Sequence, residues 1–199
     1  MNKDQLHELL YQGLETERGG IQVYTTALEC VRNDDLRGEW EKYLEQTTRH
    51  EQIMTDVLTK LGLDPETETS GREVVRSIGQ SLVKAMQMAL AAGPGEAAEL
   101  VAGECVVHAE TKDHLNWELI STAADEVDKD TAEVLRAAIE EVEDEEDEHL
   151  YHSMGWTREL WLQSLGIEAV LPPPEEQKNV KTAIGAARAK NARDEMASS

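Results

Sequence analysis

Glu145-Glu146-Asp147-Glu148-His149 is the stretch that decides how this chain folds. It continues a segment in which Val134, Leu135, Ile139 and Val142 recur at helical spacing. Within it, Glu146 and His149 stand three residues apart. Side chains at that spacing share one helix face and can reach a single point. Eight of the nine residues over 140–148 are acidic, which alone describes a solvated face. The helical phase divides them: Glu146 shares the face of Ile139, Val142 and His149, while most of its acidic neighbours point outward. An acidic helix produces one E-x-x-H pattern easily. It gains weight when other long helices offer matching inward groups, because four-helix bundles build dinuclear metal sites that way.

The upstream sequence supplies such groups. A first helix is expected over residues 4–32, with Leu6, Leu9, Leu10, Leu14, Ile21, Tyr24 and Leu28 as its apolar stripe. Glu17 falls inside that stripe, where an uncompensated carboxylate is costly. Asn33-Asp34-Asp35 reads as a turn and the next N-cap. A second helix, 35–61, carries Leu36, Trp40, Tyr43, Leu44, Thr47, His50, Met54, Val57 and Leu58 inward, with His50 in mid-stripe. Gly62 and Asp64-Pro65 end it, and a polar loop follows over 64–71. A shorter third helix, 71–91, reads as a crossover element leading to the break Ala92-Gly93-Pro94-Gly95. The fourth helix, 96–124, has the stripe Leu100, Gly103, Val106, Val107, Glu110, His114, Trp117 and Ile120. The fifth, 130–165, holds the E-x-x-H. An internal echo runs through the set: Tyr24 follows Glu17 by seven residues, and Trp117 follows Glu110 by seven. The core thus reads as two helix pairs on one plan, over residues 1–166. Residues 167–199, led by Leu171-Pro172-Pro173-Pro174, are expected as a tail that is an isolated short helix or disordered.

Composition agrees with an all-α fold. The chain has 199 residues, a length of about one domain. It has no Phe, and 40% of it is hydrophobic, enough for a core. Its net charge of −22 argues against nucleic acid, whose binding needs basic surface, and against an anionic membrane. Cys30 and Cys105 are too few for a disulfide framework and read as small buried side chains. No apolar signal core opens the sequence, and a reduced, cytoplasmic setting is expected.

If the long helices pack as antiparallel pairs, Glu17, His50, Glu110, Glu146 and His149 converge at mid-height, with Thr47 in the Glu position relative to His50. Carboxylate and imidazole ligands suit iron, manganese or zinc. Taken singly, each residue has a plainer reading: a Glu at the stripe's edge, or a hydrogen-bonded core His. Four helices each placing a ligand-type residue at one depth is what sets the plainer readings aside.

These segments resemble the ferritin-like superfamily. Glu17-Arg18-Gly19-Gly20-Ile21-Gln22-Val23-Tyr24 is similar to the first-helix ligand Glu with its downstream Tyr, and Glu146 with His149 to the fourth-helix E-x-x-H. Tyr43-Leu44-Glu45-Gln46-Thr47-Thr48-Arg49-His50 resembles the HLEQT-x-x-H segment of small bacterial stress-associated members, and His108-Ala109-Glu110 their H-Y-E stretch. The likeness covers residues 4–160. It implies a four-helix bundle with a crossover helix between the pairs, a centre of two iron ions, and a homodimer. Glu17, His50, Glu110, Glu146 and His149 match its ligand positions. Thr47 departs from it, since a bridging Glu is expected there; His114 is the first substitute and Glu51 a weaker one, while His108 and His152 read as peripheral. Tyr24 and Trp117 are donors to the site or core. The function implied is metal binding with oxidation or peroxide chemistry, or metal buffering under stress, its partners being metal ions and dioxygen or peroxide. Thr47 equally suits a non-catalytic helical protein. Gly19-Gly20 and Gly103 suit an oxygenase with room for an organic substrate.

Overall fold

The computed structural model describes residues 1–93 and 95–197. Pro94, part of the expected break, lies outside the described residues. These comprise seven helices and no strand: α1 (Lys3–Cys30), α2 (Asp34–Lys60), α3 (Ser70–Ala92), α4 (Gly95–Ala124), α5 (Lys129–Ser164), α6 (Pro174–Gln177) and α7 (Ala183–Ala197). The helix starts follow from side-chain capping. Asn2, Asn33, Thr69 and Asp128 each accept a hydrogen bond from a backbone N–H in the first turn that follows. The turn between α1 and α2 is also held from a distance: the N–H groups of Arg32 and Asn33 both donate to Glu99 Oε1 at 2.7 Å.

Packing follows the stripes. α1 lies against α2, α3 and α4, and α5 lies against α4 and α2. The interior divides into two apolar clusters. One gathers Tyr24, Trp40, Tyr43, Met86, Val106 and Trp156. The other gathers Leu10, Leu14, Met54, Trp117, Leu135 and Val142. Burying each large apolar side chain contributes about 1.5–3 kcal/mol. Between the clusters, each of α1, α2, α4 and α5 changes from apolar to polar at mid-length, at Glu17, His50, Glu110 and Glu146, all fully or almost fully buried. Two apolar ends enclose a belt of acids and imidazoles.

α3 is fixed to this frame by a buried cation. Arg72, 1% exposed, donates to Glu15 Oε2 through Nε and Nη2 at 3.1 and 3.0 Å, and through Nη1 to the carbonyls of Pro65 and Thr67. Arg72→Met strands both carbonyls and leaves Glu15 to Arg76 alone. It is expected to cost about 2–4 kcal/mol in urea unfolding followed by circular dichroism, mainly from the two orphaned carbonyls; a cost below about 1 kcal/mol would contradict this assignment.

The tail does not stand apart. α6 and α7 pack on α5 and on each other. Val170, Val180 and Ala189 are buried. Glu159, fully buried, accepts from Arg158, Arg193 and the Val170 N–H. Arg158 also holds Glu175 through both Nη atoms, at 2.7 and 2.8 Å. The segment expected as an isolated short helix or disordered forms two short helices, and long-range ion pairs together with the buried Val170, Val180 and Ala189 hold them to the bundle. No helix among the described residues is long and apolar enough to cross a membrane.

Candidate metal centre

Two groups of buried ligand-type side chains meet in the belt. Glu17, His50 and Glu146 form one, and Glu110, Glu146 and His149 the other; within each, the ligand atoms lie within 4.8 Å of one another. Glu146 belongs to both. All five residues inferred for the site from the helical stripes are therefore brought together, one or two from each long helix.

The imidazoles are oriented alike. His50 Nε2 faces Glu145 Oε2 at 2.8 Å, and His149 Nε2 faces Gln46 Oε1 at 2.9 Å. With each Nε2 carrying the proton and donating it outward, each Nδ1 turns a lone pair inward. His50 Nδ1 then stands 2.8 Å from Glu146 Oε1, and His149 Nδ1 stands 3.6 Å from Glu110 Oε2 and 3.8 Å from Glu146 Oε1. With the carboxyls deprotonated, lone pairs facing one another at such distances repel, and either a proton or a metal cation between them relieves the repulsion. An imidazole held through its outer N–H by a carboxylate or carbonyl is the arrangement that fixes a metal-ligating histidine. Burial opposes ionisation of Glu145, but hydrogen bonds from His50, Arg49 and Gln46 outweigh it and hold its pKa below the usual carboxylate range.

The carboxylates show the same want of a cation. Glu17 Oε2, Glu110 Oε2, Asp113 Oδ1 and both oxygens of Glu146 are buried without a hydrogen-bond partner, as are Nδ1 of His50 and of His149. Among the described residues, no Lys or Arg pairs with any of these four acids. Burial, then the charge of Glu110, pushes the pKa of Glu146 up to about 8. Burial, then Asp113 and Glu146, raises that of Glu17 well above the carboxylate range. Burial lowers the pKa of His50, keeping the ring neutral and its lone pair available. Orphaned buried polar atoms cost free energy in proportion to their number. Seven of them around one point describe a site that a divalent cation would complete.

Comparison of the chain with protein-family models, curated proteins and solved structures finds no match. The chemistry of the site therefore rests on its own geometry. Four carboxyl groups and two imidazoles form a hard-to-borderline donor set suited to transition-metal ions.

Asp113, which the sequence reading passed over, belongs to this belt. It is 6% exposed; burial, then the charges of Glu146 and Glu110, raise its pKa well above the carboxylate range, outweighing the opposite effects of His50 and Glu17. Glu110-x-x-Asp113 repeats the three-residue spacing of Glu146-x-x-His149, and that was the available signal. His114, the expected substitute, is absent from both groups. It sits half-buried on the outer side of α4, Nδ1 3.4 Å from Asp147, because the buried face of α4 runs through Glu110, Asp113 and Trp117. Glu51 is taken by Arg18 Nε at 3.0 Å. His108 is exposed as expected, but His152 is buried, Nδ1 accepting from the Tyr43 hydroxyl and Nε2 donating to the Val180 carbonyl. Glu39 and Glu176 lie near His152 in a third such group, but both its ring nitrogens are already engaged.

The echo in the sequence has a structural counterpart. Trp117 Nε1 donates to Glu17 Oε1 at 2.9 Å, and Tyr24 faces Glu110. Each Glu is thus met by the aromatic seven residues beyond the other, as antiparallel α1 and α4 require. The symmetry breaks where α1 has Gly20 opposite Asp113's place and α2 has Thr47 opposite Glu146's place. A Cβ on Gly20 would come 3.0 Å from Thr47 Cγ2, so here the two helices approach closely instead of presenting acids.

Proposed function

We propose that this chain is a ferritin-like protein whose α1, α2, α4 and α5 hold two transition-metal ions, iron foremost, with α3 as the crossover between the helix pairs. The observation that carries the reading is Glu146, shared by both ligand groups and without a hydrogen bond to either oxygen. In this reading Glu17, His50 and Glu146 would hold one ion and Glu110, His149 and Glu146 the other. Asp113 on α4 provides the carboxylate that Thr47 on α2 does not. Two redox-active ions bound there would supply electrons to dioxygen or peroxide. The protein's own part is to position and to exclude. Glu145 and Gln46 fix the rings, Trp117 orients Glu17, and the two apolar clusters keep bulk water from both ends of the belt.

The oxygenase alternative finds less support. Gly103 and Gly20 serve close packing: a Cβ at Gly103 would meet Thr157 Oγ1 at 2.7 Å, as one at Gly20 would meet Thr47. The cavity beside Gly19 and Gly20 is about 50 Å³, far below the roughly 300 Å³ at which small-molecule sites begin.

Protein loaded anaerobically with ferrous iron and mixed with dioxygen or peroxide tests the proposal. Ferric absorbance is expected to grow faster than for the same free iron in buffer. Bound iron that stays ferrous would leave a metal buffer in place of a redox protein. The role of Asp113 has its own check: Asp113→Asn is expected to weaken one ion by about tenfold or more, the usual cost of about 1.4 kcal/mol per decade, whereas His114→Asn leaves two ions per chain. Equal losses in both variants, read by calorimetric titration, would reverse the assignment.

A further inference from the structure

The belt is buried, so ions need a way in, and one cavity leads there. It has a volume of about 330 Å³, lies between α4 and α5, and is lined by His114, Glu118, Glu143, Asp147 and Thr182, with Glu146 among its walls. Burial is graded along it. Glu118 and Glu143 are exposed, His114 and Asp147 are half-buried, and Glu146 is 2% exposed with both oxygens unpartnered. Glu146 is the carboxylate common to both ligand groups. The cavity therefore joins solvent to the one side chain that any arriving ion must meet.

We propose that this cavity is the loading path for divalent cations, resting on the reading of the belt as a metal centre. Glu118 and Glu143 attract the hydrated ion, and His114 with Asp147, 3.4 Å apart, takes it from them and passes it to Glu146. Acidic walls focus the potential of a chain with net charge −22, which raises the encounter rate of cations and makes it salt-dependent. The tail narrows the path. Thr182 and Ala183 contribute to its wall, and the preceding Lys181 is tied to Asp144 and Glu148 of α5, each at 3.1 Å. The docking of the tail thus shapes the aperture. It also accounts for His114 and Asp147, which face each other outside both ligand groups.

Stopped-flow loading of the full chain with cobaltous ion, read by its visible absorption, tests this path, with bound cobalt per chain measured at equilibrium. The triple variant Glu118→Gln, Glu143→Gln, Asp147→Asn is expected to load roughly tenfold more slowly at low salt and to lose the salt dependence seen in wild type, with equilibrium cobalt unchanged. Ser121→Trp, which fills the cavity wall without altering charge, is expected to slow loading at every salt concentration. Unchanged loading rates in both variants would place the route elsewhere and overturn the proposal. Reduced equilibrium cobalt in the triple variant would also overturn it, because those side chains would then be ligands of the centre. Wild type that binds no cobalt would instead overturn the metal centre itself.

Discussion

Glu146→Ala is expected to reduce bound ferrous iron from two ions per chain to none, while the metal-free protein keeps its helices and its melting temperature. Every other ligand-type residue of the belt belongs to at most one of the two groups; Glu146 belongs to both. Its removal takes an oxygen from each ion's site at once, so the two affinities fall together. The fold tolerates the change because, in the metal-free state, the carboxyl's approach to His50 Nδ1 at 2.8 Å is offset by its burial among other acids. Neither oxygen has a hydrogen bond, and the carboxyl is buried against Glu110, Glu17 and Asp113. Relief of that burial, about 1–3 kcal/mol for an unsatisfied polar group, offsets the small void left behind. Elemental analysis and thermal melts of the variant check both halves. Retained iron would show that the ions, if any, sit elsewhere. A melting temperature lowered by more than about 10 °C, or several kcal/mol at this chain length, would mean that Glu146 supports the fold.

The second large effect is an inverted pH dependence of the metal-free protein. A carboxyl whose folded pKa is raised binds protons in the folded state that the unfolded chain has already released. Stability then falls as pH rises from the unfolded value toward the folded one. For Glu146 that window runs from 4.5 to about 8, and Glu17 and Asp113 are raised in the same direction. His50 works oppositely: its lowered pKa removes stability as pH drops below its ordinary value of 6.5. The interval from pH 6.5 to 8.5 therefore isolates the carboxyls. Over it Glu146 alone accounts for on the order of 2 kcal/mol, since one pKa unit corresponds to about 1.4 kcal/mol. The melting temperature in a chelator is expected to fall by roughly 4–8 °C across that interval. Adding metal reverses the trend, because the ions bind the deprotonated carboxylates and are released as pH falls. A metal-free melting temperature that is flat or rises between pH 6.5 and 8.5 would show that the belt carries no buried acid repulsion.

Much of this was legible in the chain. Asn33 and the apolar stripes place the long helices within a residue or two of their observed ends. The i, i+3 spacing of Glu146 and His149 identifies their common face. What was lost was phase. One residue along a helix is about 100° of rotation. The α4 stripe drawn through Leu100, Gly103, Val106, Val107, Glu110, His114, Trp117 and Ile120 takes in His114, whereas the observed buried face keeps Gly103, Val106, Glu110, Trp117 and Ile120 but turns Asp113 inward in place of His114. Because α4 is apolar on several sides, its pattern does not choose between those phases; the neighbouring helices do. The tail was illegible for a different reason. Its attachment depends on Glu159 meeting Arg193 and on Arg158 meeting Glu175, contacts between residues far apart in sequence that leave no local periodicity. Glu145 and Gln46 were hidden in the same way. Each looks like one more polar residue on an outer face until the imidazole from another helix is seen to rest on it.

Iron per chain after anaerobic reconstitution with ferrous iron is the most direct measurement of the central claim. Two tightly bound ions per chain are expected, because Asp113 restores the carboxylate that Thr47 lacks. One ion or none would contradict a dinuclear centre built from Glu17, His50, Glu110, Asp113, Glu146 and His149.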